Sequence, residues 1–197
     1  MTGASLLWQS CRFDALTVVE LQHIYAARQQ VFVIEQQCLY LDVDGHDESA
    51  FHLAAWSEAH RMPLAYARLL DPRVKYPEPS MGRVLTTGPA RGVGLGRELV
   101  RKVISASSDA WPGHGMRISA QARLERFYRE LGFEPVGRPY DEDGIPHLEM
   151  LRMLTERRKS RLPPFSISAR SYVRPPASGM SFRLVCRDPS GTRLDRY

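Results

Sequence analysis

Six residues, Arg91-Gly92-Val93-Gly94-Leu95-Gly96, restrict what this chain can fold into more than any other stretch. They follow a strand-like run, Gly82-Arg83-Val84-Leu85-Thr86-Thr87, and open a helical pattern in which Leu95, Leu99, Val100, Val103 and Ile104 share one face. A glycine-rich turn between a strand and a helix leaves several backbone N–H groups unpaired and aimed the same way, with the positive end of the helix dipole behind them. Such a turn is a cradle for phosphate. Glycine is needed because a Cβ would hold the phosphate off the amides, and because some positions demand φ > 0.

Spacing excludes two common phosphate folds. A dinucleotide turn has G-x-G-x-x-G and an acidic residue at the end of the next strand. Here Arg97 stands where the third glycine belongs, and the next strand-like run, Met116-Arg117-Ile118-Ser119-Ala120, ends without a carboxylate. The P-loop string G-x-x-x-x-G-K-[ST] occurs nowhere. What fits is R-x-x-G-x-G, as Arg91, Gly94 and Gly96. Downstream, Leu124-Glu125-Arg126-Phe127-Tyr128-Arg129-Glu130-Leu131-Gly132-Phe133 reads as a short amphipathic helix closed by Gly132. The loop resembles the pyrophosphate loop of the GNAT acetyltransferases, which holds coenzyme A, and F-Y-x-x-x-G-F resembles the helix that closes their cofactor cleft. For Phe127 core packing is the expectation. A buried tyrosine needs a partner for its hydroxyl, so Tyr128 is the functional candidate.

Further phrases narrow the resemblance. R-x-x-V-F-V-x-E-Q (Arg28 to Gln36), D-x-D-G-x-D (Asp42 to Asp47) and E-D-G-I-P-H (Glu142 to His147) look like the ElaA-like branch of that superfamily, over roughly residues 15–152. The resemblance implies an α/β (α+β) fold, a mixed, mostly antiparallel sheet of six or seven strands with helices on both faces. It also implies acetyl-CoA as co-substrate and acetyl transfer to an amine, small-molecule or protein, by direct attack in a ternary complex. Free amides of Leu85, Thr86 and Thr87 would hold the pantetheine arm, and those of Gly92, Val93, Gly94, Leu95, Gly96 and Arg97 the pyrophosphate, with Arg91 as countercharge. Tyr128 would protonate the leaving thiolate. For the general base, Glu35, Asp44, His46, Asp47, His52, His147 and Glu149 all remain open, with Glu35 and His147 preferred. His147 and Glu149 alternate with Leu148 and so share a strand face. His52 could equally be a core histidine, acidic residues in 42–48 could be solvated loop or cap residues, and no base pairs with Cys38 by motif.

Composition bounds the rest. The chain has 197 residues with 43% hydrophobic content, enough for one good core. No apolar run approaches the length of a membrane span and the N-terminus lacks the features of a signal peptide. Cys11, Cys38 and Cys186 are odd in number and far apart, so free thiols in the cytoplasm are expected, and no spacing suggests a metal. Residues 1–151 carry 16 basic and 19 acidic side chains, whereas residues 152–197 carry 11 and 3. The division is therefore a GNAT domain at 1–153 and a basic, Pro/Ser/Arg-rich, largely disordered tail at 154–197, although 181–185 could pair as a strand. A homodimer is allowed for, and neither nucleic acid nor membrane is expected as a partner.

The expected elements are a strand at 6–13, a helix from Thr17 to Ile34 with Thr17 and Glu20 as a capping box, and an irregular acidic loop at 35–49. An antiparallel pair follows at 52–56 and 63–70, a loop at 71–79, the strand at 82–87 and the cofactor helix at 94–108. Then come a strand at 116–121, a helix at 123–131, and closing strands at 134–140 and 147–153. Two other functions compete. Arg28, Phe32, Glu35, Asp44, Asp47 and Arg68-Leu69-Leu70 echo the acyl-homoserine-lactone synthases, which lack a strong R-x-x-G-x-G loop. The other is a non-catalytic CoA-binding interaction module, against which Tyr128 beside an intact loop argues.

Overall fold

A computed structural model describes residues 6–153, 171–173 and 183–185. Eight strands form one sheet: β1 (Leu7–Arg12), β2 (Ala50–Ser57), β3 (His60–Leu70), β4 (Ser80–Thr86), β5 (Met116–Gln121), β6 (Glu134–Pro135), β7 (Tyr140–Glu142) and β8 (Ile145–Arg152). Their order is β1-β2-β3-β4-β5-β8-β6, with β7 also on β8. All pairings are antiparallel except β4 with β5.

Periodicity explains the two layers of helices. Alternate residues of β2 and β3 divide cleanly: Leu53, Ala55, Ala65, Ala67 and Leu69 face helix α2 (Leu95–Ala110), which contributes Leu99, Val100 and Val103. Ala54 and Tyr66 face helix α1 (Val18–Arg28), which contributes Ile24 and Ala27. Helix α1 opens on the expected capping box, Thr17 accepting from the Glu20 amide and Glu20 accepting from the Thr17 amide. It does not run regularly to Ile34; from Gln29 to Glu35 it widens into a π-helix. Helix α3 (Glu125–Arg129) follows a 3-10 turn at Ala122–Leu124 and closes on Gly132, where Gly132 N–H donates to Arg129 O and Phe133 N–H to Tyr128 O.

Two irregularities shape the centre of the sheet. The β3–β4 register runs Arg68↔Gly82 and then Tyr66↔Leu85, so Arg83 and Val84 together oppose Ala67. This bulge reverses the alternation: Met81 packs with the α2 layer and Leu85 with the α1 layer, though their even separation would otherwise place them on one face. The second irregularity is the β4–β5 junction, where only Ser80↔Arg117 is in register. Beyond that pair the two strands separate.

The expected strand at 134–140 is instead two short pieces, because Pro135, Gly137 (φ +90°) and Pro139 cannot sustain a ladder. Strand β7, unforeseen, joins β8 through Asp143-Gly144, both at positive φ, the two-residue turn that suits a hairpin. The acidic loop is exposed along much of its length, but its aspartates are not free. Asp42 and Asp47 are buried with Arg28, and Asp44 pairs with Arg68. Contacts divide the chain at residue 156 into two units. The described residues of the second are strands β9 (Ser171–Val173) and β10 (Arg183–Val185), paired antiparallel. The expected disorder at 154–197 otherwise lies outside the described residues.

Candidate active site

The glycine loop lands where the sequence put it, at the C-terminal end of β4 and the start of α2. Gly94 caps the helix at φ +84°, and a Cβ there would meet nothing within 4 Å. Among the described residues, the amides of Gly92, Val93, Gly94, Leu95 and Gly96 find no acceptor. Five donors, one helix N-terminus and open space above Gly94 fit a pyrophosphate well. The amide of Arg97 does not belong to this set, because it donates to Gly94 O at 3.1 Å within the first turn. Its side chain still lines the groove, about 320 Å³ in volume, together with Thr86, Arg91 and Phe127.

The strand amides need a similar correction. Thr87 N–H is occupied by Leu64 O at 3.0 Å. Antiparallel ladders alternate, so Leu85 also faces β3, while Thr86 turns its N–H and C=O toward the gap beside β5. Consistent with this, Thr86 O accepts from Arg91 Nε at 3.1 Å. Of the three, Thr86 alone offers an amide to a ligand in the gap.

The end of the π-helix bridges the two sides of that gap. Glu35 pairs with Arg91 at 2.5 Å on the loop side, a contact that holds its carboxyl below the usual range. The next residue, Gln36, accepts from Gln121 Nε2 at 3.1 Å at the end of β5. Glu35 is thus beside the glycine loop and committed to its arginine.

Opposite the core face of β5 and β8 lies a polar wall. His147 stands directly across from Gln121 and next to Tyr140 of β7. Its Nδ1–H donates to Ile145 O at 2.8 Å, which leaves Nε2 as the acceptor. Ser119 Oγ is 2.5 Å from Tyr140 Oη and donates to Glu142 at 3.0 Å. Glu149, across from Ser119, pairs with Arg117, which also binds Glu78. Ser119, Tyr140 and Glu142 were not anticipated; the D-G hairpin signal that places the last two was present in the sequence.

Phe127 packs against the core as expected but also reaches the groove. Phe127 is partly buried and lines the groove, with the Arg97 guanidinium 5.5 Å from its ring. Tyr128 is buried against Phe127 and Phe133, and burial raises its pKa well above that of an ordinary phenol. Its hydroxyl has no hydrogen-bond partner among the described residues. The remaining candidates are engaged elsewhere. Asp44 and Asp47 are tied to arginines. His52 is a satisfied core histidine, with Nδ1 accepting from Tyr66 at 2.8 Å and Nε2 donating to Asp47 O at 2.9 Å. Cys38 is buried with its thiol 3.5 Å from Gln36 O, and the His46 backbone amide donates to Asp44 Oδ1 at 3.2 Å. Among the described residues no cluster of His, Cys, Asp or Glu is placed to hold a metal, and no helix is long and apolar enough to cross a membrane.

The geometry agrees with comparisons to known proteins. Residues 21–154 match the acetyltransferase (GNAT) domain model. A UPF0039 protein of Synechocystis is 46% identical over 144 residues, 73% of this chain and 93% of that protein. ElaA of Escherichia coli is 36% identical over 147 residues, 74% of this chain and 95% of its own, and its crystal structure superposes with a TM-score of 0.70 over 75% of this chain and 99% of that one. A structure described as an acyl-CoA N-acyltransferase from Pseudomonas aeruginosa is 40% identical, with a TM-score of 0.71 over 75% of this chain and 99% of that one. The acyl-homoserine-lactone synthase LasI shares the fold at 14% identity. Coverage, fold and the loop at the head of α2 lead to one conclusion: this chain belongs to the GNAT acetyltransferase family, whose members take acyl groups from acyl-CoA.

Proposed function

We propose that the protein transfers an acetyl group from acetyl-CoA to an amine. The observation that carries the proposal is the parting of β4 and β5, because it opens a passage with an anion cradle on one side and a titratable polar wall on the other. The cofactor supplies an activated acyl thioester. The amides of Gly92 to Gly96 would hold its pyrophosphate, with Arg91 as countercharge, and the Thr86 amide would hold the extended arm.

The polar wall supports an amine acceptor. An amine near neutral pH arrives as ammonium and must lose a proton before it can attack. His147 is fixed with Nε2 able to accept that proton, directly or through water. Glu142 and Glu149 add negative charge on the same face, which favours a cationic substrate. Tyr128 keeps its proton at neutral pH and would donate to the departing thiolate. Glu35, engaged with Arg91, is better suited to cofactor binding than to proton removal. The low identity to LasI favours this reading over lactone synthesis.

Calorimetric titration with acetyl-CoA, followed by an acetyl-transfer screen across cationic, neutral and anionic amines, tests it. Cofactor binding with turnover of cationic amines is expected. Absence of acetyl-CoA binding would refute the whole reading, and binding without turnover of any amine would favour a CoA-dependent interaction module.

A further inference from the structure

We infer that Arg83 is a positioning residue, which holds β4 in the bulged conformation that turns the Thr86 amide toward the cofactor. The inference rests on the reading of the gap as the acyl-CoA site. Arg83 has φ +52°, a left-handed backbone that favours glycine and costs other residues about 1–2 kcal/mol. It is half of the bulge that opposes Ala67. A glycine would adopt this conformation freely, so an arginine here requires a compensating contact.

The compensation is ionic and reaches across the fold. Arg83 Nε lies 2.7 Å from Asp42 Oδ1, and its NH2 group is 3.1 Å from Asp44 Oδ2 and donates to Asp42 O at 3.0 Å. Those aspartates are themselves fixed. Asp42 is held by the fully buried Arg28 at 2.7 Å, and Asp44 by Arg68 at 2.6 Å. Asp47 ties both arginines together, at 2.6 Å from Arg28 and 3.1 Å from Arg68. Three guanidinium and three carboxylate groups therefore join α1, the loop at 36–49, β3 and β4. At Arg83 these contacts offset the left-handed cost of the bulge.

The bulge decides which amides face the gap. With it, Thr87 donates to Leu64 and Thr86 faces β5. Without it, the alternation shifts by one residue, and Thr86 would turn to β3. Leu85, buried in the α1 layer, steadies the far side of the bulge, and Arg83 steadies the near side.

Alanine and glycine at this position separate the backbone role from the charge. Both remove the guanidinium equally, but only alanine retains the left-handed cost. Arg83→Ala should weaken acetyl-CoA binding roughly fivefold or more, while Arg83→Gly should bind within about twofold of the unsubstituted protein. Amide hydrogen exchange of the ligand-free protein gives a readout independent of the cofactor. In the unsubstituted protein and Arg83→Gly, Thr86 should exchange fast and Thr87 slowly, and in Arg83→Ala that contrast should collapse. Equal weakening by alanine and glycine, or an unchanged exchange contrast in Arg83→Ala, would overturn the assignment. Failure of the unsubstituted protein to bind acetyl-CoA would refute the cofactor reading and leave the exchange experiment to decide the role of Arg83.

Discussion

Gly94 offers the sharpest test of the cradle, through a pair of nearly isosteric substitutions. Asparagine tolerates the left-handed backbone better than most residues, so Gly94→Asn should fold, at a cost of about 1 kcal/mol. For a domain this size that lowers Tm by about 2–4 °C. Its side chain occupies the open space above the helix and should weaken acetyl-CoA binding by obstruction alone. Gly94→Asp adds a charge to the same shape. At about 4 Å from a phosphate in water-like surroundings, each charge pair costs about 1 kcal/mol. Gly92, Val93 and Gly94 are all exposed, so the water-like value applies. One or two phosphate charges then predict binding about 5- to 30-fold weaker for Asp than for Asn, a difference that shrinks as salt rises. Calorimetry in parallel with thermal denaturation separates affinity from folding. If the two variants bind acetyl-CoA within twofold of each other, no phosphate lies beside Gly94 and the cradle is misplaced.

Three further outcomes are expected. Tyr128→Phe preserves the packing against Phe127 and Phe133 but removes the proton, so kcat should fall by about 10²–10⁴ with acetyl-CoA affinity unchanged; a loss below threefold reduces Tyr128 to a core residue. Arg28→Met strips two buried aspartates of a partner and should cost about 3–5 kcal/mol in chemical denaturation, with a loss under 1 kcal/mol refuting the importance of the ion network. The same network predicts a pH dependence. Burial alone would raise the carboxyls of Asp44 and Asp47, but the adjacent arginines outweigh it and hold them below the ordinary range. Their contribution is present above about pH 4 and is lost as pH falls from there, so acid should destabilise Arg28→Met less steeply than the unsubstituted protein.

The elements legible in the sequence were those specified by local pattern. The capping box at Thr17 and Glu20, the glycine spacing at 91–96 and the Gly132 terminus each depend on a few neighbouring residues, and each appears where expected. The misread elements depend on partners distant in sequence. Asp42, Asp44 and Asp47 have the composition of a solvated loop, and only the fold brings Arg28, Arg68 and Arg83 to them. The bulge at Arg83 is hard to read from periodicity because an arginine, not the neighbouring Gly82, takes the left-handed conformation. Assigning Thr87 and Arg97 to the cofactor failed for a simpler reason: hydrogen bonds to Leu64 and Gly94 had already claimed their amides. The hairpin at Asp143-Gly144 had an adequate local signal that the neighbouring prolines obscured.

The single residue pair that joins β4 to β5 has a mechanical consequence. The sheet behaves as two leaves sewn at one stitch, with strands β1 to β4 on one side and the β5–β8 group on the other. The links across the seam include helix α2, the Arg117–Glu78 ion pair and the contacts of Glu35 and Gln36. On the proposed reading, a ligand with its own amides lying in the seam would take the place of a missing strand and knit the leaves together. Ligand-free, the leaves should exchange amide hydrogens as separate units. Once the seam is filled, the same protein should open only as a whole, so that occupancy changes cooperativity as well as stability.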